Sequence, residues 1–337
     1  MSAIPWIGQD IVEFVWGGLN TEEPHYVNVM LKILLNAGIS PNLGFVYDIF
    51  FVLLIMYVKI TMTWRKPAGV RSIHTSEASQ RLNAGDLTYA YLVGLFEGDG
   101  YFSITKKDKY LTYELGIELS IKDVQLIYKI KNILGIGRVS FRIRNNIQMV
   151  TLRIRDKTHL KKFIIPIFDK YSMYSNKQYD YLRFRSALLS NIILSEDLPE
   201  YTRNNENINT IEYIINSYYF PAWLVGFIEA EGCFSLYKLK ETTDYTVASF
   251  DIAQKDGEII IAAIQKYLSF TTKIYIDKTN CYKLKVTSIR SIENIIKFID
   301  KAPVKLLGNK KLQYLLWIKN LRKINRYSKK INIPSNY

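Results

Sequence analysis

The stretch YLVGLFEGDGYFSITK (Tyr91 to Lys106) and the stretch WLVGFIEAEGCFSLYK (Trp223 to Lys238) match leucine for leucine, glycine for glycine and acid for acid. They stand 132 residues apart, Tyr91 against Trp223. The correspondence continues downstream. IELSIKDVQLI (Ile117 to Ile127) lies over FDIAQKDGEII (Phe250 to Ile260), and SNKQYDYL (Ser175 to Leu182) over GNKKLQYL (Gly308 to Leu315), both at an offset of 133. A pattern that recurs at a fixed offset predicts one structural unit built twice, and 337 residues hold two such units with a remainder.

Each copy reads alike. The apolar segments ending in the acids have helical length, with start signals at Asp86 or Thr88 in the first copy and around Pro221 in the second. After the glycine, YFSIT and CFSLYK alternate as strands do, followed by another strand, a helix from about Lys122 to Leu134, a hairpin and a further helix. In the hairpin, Arg138, Ser140, Arg142 and Arg144 share one face, Val139, Phe141 and Ile143 the other, and Asn145 and Asn146 make the turn. On the return strand Met149, Thr151, Arg153 and Arg155 oppose Val150, Leu152 and Ile154. The second copy repeats the plan more weakly, with Lys283, Lys285 and Thr287 opposite Tyr282, Leu284 and Val286. One face is expected to be core. The other, with five arginines and no acid on the hairpin, is expected to contact phosphates and base edges.

These patterns divide the chain into a leader (1–84), a first unit (85–194), a polar linker (195–210), a second unit (211–325) and a basic tail (326–337) expected to be only partly ordered. Within the leader, the apolar run Ile49 to Val58 is bounded by Asp48 and Lys59, and 63–84 is polar. Two readings stand for this run: a membrane-associated helix over 43–62, just long enough to span, or a buried or discarded segment. No secretory signal pattern opens the sequence. With 45 Lys and Arg against 31 Asp and Glu, net +14, the chain suits a polyanionic partner, nucleic acid or an anionic membrane face. Two distant cysteines, Cys233 and Cys281, and three scattered histidines support neither a disulfide framework nor a zinc site.

In so basic a chain the repeated acids need a reason. Gly94 and Gly98 are four apart, as are Gly226 and Ala230, so each helix carries a small-residue stripe that lets another helix backbone approach closely. If the two helices pack on each other, Asp99 and Glu231 meet at helix C-termini, where the macrodipole already disfavours negative charge. Two such carboxylates repel, and one is expected to protonate unless divalent cations sit between them. Mg²⁺, which takes oxygen ligands from a few carboxylates together with phosphate and water, suits such a place. Beside a cationic surface this combination points to metal-assisted phosphodiester cleavage. Lys177 and Lys310, at equivalent places, are candidates to stabilise the leaving oxygen; Gln254, which replaces Ile121 of the first copy, is a candidate to position water. Glu97 and Glu229 also recur, but two positions earlier on the helix they point elsewhere, and are expected to be structural or solvent-facing.

LVGLFEGDG and LVGFIEAEG resemble the paired LAGLIDADG motifs of single-chain homing endonucleases. FEGDGYFSITKK, SNKQYDYLRFR, FIEAEGCFS and KLLGNKKLQY resemble the members of that family that are maturase-endonucleases encoded by cytochrome b group I introns of fungal mitochondria. The resemblance covers about Asp86 to Tyr337. It implies an α+β fold of two pseudo-twofold-related αββαββα units whose antiparallel sheets form a saddle in the DNA major groove. It further implies Mg²⁺ ions, two or more, held by Asp99 and Glu231 with the backbone of Gly98 and Ala230; Glu231 in place of Asp keeps the charge but moves it by one methylene. The residues expected on DNA are Tyr101, Ser103, Thr105, Arg138, Arg142, Arg144, Arg153, Arg155, Ser235, Tyr237, Lys283 and Lys285. The implied activity is Mg²⁺-dependent cutting of both strands of a long DNA site at an intronless cytochrome b allele, by a monomer. Assistance to splicing of group I intron RNA is the accompanying or alternative role. Ser2 to Gly18 resembles cytochrome b itself, which implies an exon-fused leader made and trimmed in the mitochondrion, in the matrix or at the inner membrane, and dispensable for chemistry to about Ala84.

Overall fold

The computed structural model describes residues 75–204, 206, 209–238 and 246–334. The exon-like stretch 2–18, the apolar segment 43–62 and the linker up to residue 74 lie outside the described residues. Among the described residues, no helix is long and apolar enough to cross a membrane.

The first unit runs α1 (Thr75–Asp99), β1 (Gly100–Lys107), β2 (Tyr110–Ser120), α2 (Val124–Leu134), β3 (Arg138–Arg144), β4 (Ile147–Ile154) and α3 (Lys177–Leu189), with short helical turns from Lys157–His159 to Ile165–Lys170 before α3. The second runs α4 (Phe220–Glu231), β5 (Cys233–Lys238), β6 (Thr246–Lys255), α5 (Glu258–Tyr267), β7 (Tyr275–Ile276), β8 (Cys281–Val286), α6 (Ile289–Lys301) and α7 (Asn309–Leu321). Two four-stranded sheets result, ordered β1-β2-β4-β3 and β5-β6-β8-β7, antiparallel throughout. The expected α+β fold of two αββαββα units is the observed one.

Local sequence explains the elements. Helix α2 buries Leu126, Ile127, Ile130 and Leu134, a single helical face, and ends on Gly135 at φ +67, a left-handed cap that a side chain would disfavour. Asn145 and Asn146 both take positive φ, +48 and +61, as a two-residue hairpin turn of the mirror-image type requires. The register then pairs Arg138 with Arg153, Ser140 with Thr151 and Arg142 with Met149, so the alternation of the hairpin holds across the sheet.

Two expectations are corrected. Helix α1 starts not at Asp86 or Thr88 but at Thr75. The Asp86 carboxylate accepts two 2.7 Å hydrogen bonds from Lys170 rather than capping a helix. The inward face of the first hairpin is core only in part. Val150, Leu152 and Ile154 are buried and Val139 packs on them, whereas Phe141 and Ile143 are 57% and 72% exposed, because β3 is an edge strand that extends past its backing. In the basic tail, Asn325–Ser328 is helical, Tyr327 and Ile331 are buried, and the Tyr327 hydroxyl accepts the Ala248 N–H at 2.8 Å.

Candidate active site

The two helices that carry the repeated acids, α1 and α4, pack on each other through their small residues. A Cβ on Gly94 would overlap the Trp223 carbonyl, and a Cβ on Gly226 would overlap the Tyr91 carbonyl. Each contact is the other's counterpart at an offset of 132 (Gly94 to Gly226, Tyr91 to Trp223), which is the signature of a local twofold axis. One turn later Gly98 meets Ala230. A Cβ on Gly98 would overlap that of Ala230 and lie 3.4 Å from Oε1 of Glu231. The helices therefore end side by side, and Asp99 and Glu231 come together as the spacing predicts.

Both carboxylates are largely removed from water. Burial raises Asp99 to about 6, with Lys177 and Lys310 opposing and Asp123 adding to the rise. Burial first, and the Asp99 charge second, raise Glu231 to about 7, again opposed by Lys177 and Lys310. Both lysines thus act on both acids. Each lysine head meets the end of the motif helix of its own unit. Lys177 Nζ donates to the carbonyls of Phe96 (3.2 Å), Glu97 (2.6 Å), Gly98 (3.2 Å) and Gly100 (2.7 Å), and Lys310 donates to Gly232, the counterpart of Gly100. A cation here satisfies carbonyls left over at a helix C-terminus and offsets the macrodipole. Burial lowers the Lys177 pKa.

Glu97 and Glu229 are structural, and the solvent-facing alternative is overturned: both are buried. Glu97 accepts from Tyr174 N (2.8 Å), Ser175 N and the Trp223 indole (2.8 Å). Glu229 accepts from Leu307 N (2.7 Å), Gly308 N (3.1 Å) and the Tyr91 hydroxyl (3.1 Å). Each glutamate ties three things: its own helix, an aromatic donor on the other unit's helix, and the segment just before the lysine. Burial raises both pKa values, and the donated hydrogen bonds hold the rise down.

The sequence reading does not anticipate Asp123. Its Oδ1 accepts the Asn309 N–H at 2.7 Å, so an acid of the first unit caps the helix of the second that carries Lys310. The visible signal is the repeated Lys-Asp at 122–123 and 255–256. The copies diverge, however, since Asp256 accepts from the Asn280 amide instead (2.6 Å). Gln254, next to the end of β6 and opposite Tyr282, makes no hydrogen bond to either acid among the described residues.

Of the twelve residues expected on nucleic acid, eleven lie on the sheets and Arg155 lies just past the end of β4. Tyr101, Gly116, Arg153 and Arg138 form one row across β1, β2, β4 and β3, and Ser103 and Thr105 follow on β1. Arg142 and Arg144 continue on β3, Arg155 follows β4, Ser235 and Tyr237 lie on β5, and Lys283 and Lys285 on β8. The expectation of a face without acids fails. The hairpin carries none, but central strand β2 brings Glu114 and Glu118 to the same face. Arg142 and Arg144 pair with Glu118, and Arg153 and Arg155 with Glu114. In the second sheet Lys283 pairs with Asp277 at 2.7 Å and Lys285 with Asp251 at 3.7 Å. A hairpin read alone cannot show what the neighbouring strand contributes.

Among the described residues, no cluster of three or more His, Cys, Asp or Glu forms a metal cage. The donor set is instead two carboxylates with raised proton affinity and adjacent backbone carbonyls. That fits a hard divalent cation completing its shell with water and phosphate oxygen.

The profile of the LAGLIDADG endonuclease family matches residues 92–188 and 224–321, the two repeats. A probable intron-encoded endonuclease of Schizosaccharomyces pombe, Cox1-I1b, is 31% identical over 256 residues, covering 69% of this chain and 64% of its own length. The intron-encoded RNA maturase bI4 of Saccharomyces cerevisiae is 26% identical over 217 residues, 63% of this chain and 29% of the maturase. Among solved structures, I-SmaMI bound to an uncleaved DNA target in the presence of calcium ions superposes with a TM-score of 0.56 at 24% identity, covering 72% of this chain and 96% of that one. This likeness extends to the fold.

Proposed function

The chain belongs to the LAGLIDADG endonuclease family, and we propose that it is a site-specific, Mg²⁺-dependent endonuclease that cuts both strands of duplex DNA at the intron insertion site of a cytochrome b gene. The observation that carries this reading is the meeting of Asp99 and Glu231 at the paired helix ends, each with proton affinity raised by burial and flanked by Lys177 and Lys310. Carboxylates kept in such a place at neutral pH make sense as cation ligands.

Asp99 and Glu231, with the carbonyls of Gly98 and Ala230, would hold Mg²⁺, which supplies charge neutralisation and an acidified water to the displacement. The remaining work falls to side chains. Lys177 and Lys310 fix the helix ends through the carbonyls they cap, and keep positive charge beside the acids, where a leaving oxygen gains charge. Gln254 orients water. The sheet residues from Tyr101 to Lys285 described above place the duplex. The cytochrome b target rests on the likeness of 2–18 to that protein, which with the intron-encoded relatives also supports synthesis in the mitochondrion.

A second role, assistance to splicing of the chain's own group I intron RNA, is favoured by the 26% identity to the RNA maturase. The test is the full chain assayed in parallel on DNA carrying a cytochrome b exon junction and on the intron transcript at low Mg²⁺. Asp99→Asn is expected to abolish cutting in Mg²⁺ while retaining DNA binding in Ca²⁺; retained cutting would overturn the metal-site assignment.

A further inference from the structure

Resting on the nuclease reading, we propose that Glu118 and its repeat counterpart Asp251 are specificity-determining residues. They occupy the arginine and lysine heads of the DNA face from within, and so suppress binding to DNA of arbitrary sequence more than binding to the target.

A chain of net charge +14 has a general problem with DNA. Phosphates are the same in every sequence, and each cation free to meet one adds affinity without information. The structure shows a device against this. Glu118 stands on the central strand of its sheet with its side chain 11% exposed, while Arg142 and Arg144 are 48% and 65% exposed. One carboxylate oxygen takes Arg142 and the buried Thr151 hydroxyl (3.1 Å), and the other takes Arg144 at 3.5 Å. The Arg142 hydrogen bond holds the Glu118 carboxyl below the usual carboxylate range.

The second repeat makes the same choice independently. Asp251 lies 133 residues after Glu118 at the corresponding place on its central strand. It accepts from Ser249 at 2.8 Å and faces Lys285 at 3.7 Å. A hydroxyl on the sheet thus locates each carboxylate, and a basic residue of the adjoining hairpin covers it. A carboxylate fixed there repels any phosphate that approaches. It still leaves guanidinium N–H groups for a base edge, whose acceptors carry no net charge and which a matching sequence presents in register.

The experiment uses the full chain with Glu118→Gln, which keeps the shape and a hydrogen bond to Thr151, and separately Asp251→Asn. The probes are a duplex enriched by the parent protein from a randomised pool in Ca²⁺, and poly(dI-dC) as arbitrary DNA. We expect Glu118→Gln to bind poly(dI-dC) more tightly, with a salt slope steeper by about one to two for the two freed arginines. The ratio of target to arbitrary affinity should fall roughly fivefold or more, the lower end of the discrimination at one base pair. Asp251→Asn should move both quantities the same way by less, since one lysine is freed. An unchanged or higher ratio in both variants overturns the inference, as does a parallel loss of both affinities, which would make the acids mere supports. A parent protein that enriches no duplex overturns the nuclease reading and this inference together.

Discussion

Glu97 offers the sharpest test of how the two units are joined. It is fully buried, and its three hydrogen bonds divide unevenly. Oε1 takes the N–H groups of Tyr174 and Ser175, and Oε2 takes the Trp223 indole at 2.8 Å. Glu97→Gln preserves the shape but replaces one acceptor with a donor. With its amide oxygen on the two backbone N–H groups, its NH₂ confronts the indole N–H, donor against donor. The reverse orientation confronts two donors. A hydrogen bond to a charged group contributes about 1.5–3 kcal/mol, and an orphaned buried donor costs about 1–3 kcal/mol. The glutamine escapes the burial of a charge, the effect that raises the Glu97 pKa, and this offsets part of the loss. The expected net destabilisation is about 1–3 kcal/mol. Trp223→Phe removes the opposing donor at its own packing cost, so the double variant should be more stable than the sum of the single effects by about 1–2 kcal/mol. Urea unfolding of the four proteins, followed by far-UV circular dichroism, measures this directly. Additivity within about 0.5 kcal/mol, or a Glu97→Gln protein as stable as the parent, would mean that the Trp223 indole does not depend on the Glu97 carboxylate.

Two other predictions follow from the same helix pair. Gly98→Ala places a methyl against that of Ala230 and should destabilise by about 1–3 kcal/mol through overpacking, with recovery on adding Ala230→Gly; thermal unfolding of both variants checks it. Because Asp99 and Glu231 titrate near 6 and near 7, protons compete with a divalent cation. Apparent Ca²⁺ affinity by calorimetry should therefore level off near pH 8 and fall as pH drops through about 7 and about 6. For the metal-free protein the sign is opposite. Both folded-state values lie above those of free carboxyls, so these two groups favour folding when protonated; that contribution is fully present below the ordinary values of 3.8 and 4.5 and is lost as pH rises from there through about 6 and about 7. An affinity independent of pH between 6 and 8 would place the cation elsewhere.

Much of the fold and the centre of the site are legible in the sequence because they follow from short-range periodicity repeated twice. The turn at Asn145 and Asn146, the capping Gly135 and the small-residue stripes each state their local geometry, and the repeat supplies the axis that brings Asp99 to Glu231. What is not legible depends on partners distant in the chain. Glu97 looks idle on its own helix because its donors are 77, 78 and 126 residues away. Asp123 meets Asn309 across 186 residues, and nothing local distinguishes it from Asp256, which bonds elsewhere. The acids on the arginine-bearing face of the first sheet come from β2, outside the hairpin whose alternation is informative. The exposure of Phe141 and Ile143 depends likewise on how far the backing layer reaches, which alternation along one strand does not encode.

The departures of the second motif copy from the first are best understood as a pair. At the axis there is room for one methyl: Ala230 supplies it and Gly98 leaves space for it. A glycine at both places would leave a void where the helices should be tightest, and an alanine at both would force them apart. Glu231 lies over that same spot, its carboxylate oxygen 3.4 Å from where a Cβ on Gly98 would be. The longer acid therefore reaches across the side of the axis that lacks the methyl. A second copy carrying Ala-Glu against Gly-Asp is thus a single steric solution, in which the small residue of one unit makes room for both substitutions in the other. On this argument each acid is matched to its own side of the axis. Glu231→Asp loses reach over Gly98 with nothing to fill the gap, whereas by the local twofold Asp99→Glu drives a methylene toward the Ala230 methyl, the crowded side. Both variants should weaken Ca²⁺ binding in calorimetric titration, and Ala230→Gly should restore binding to Asp99→Glu but not to Glu231→Asp; rescue of both or of neither would show that the two halves tolerate acid length independently of the methyl.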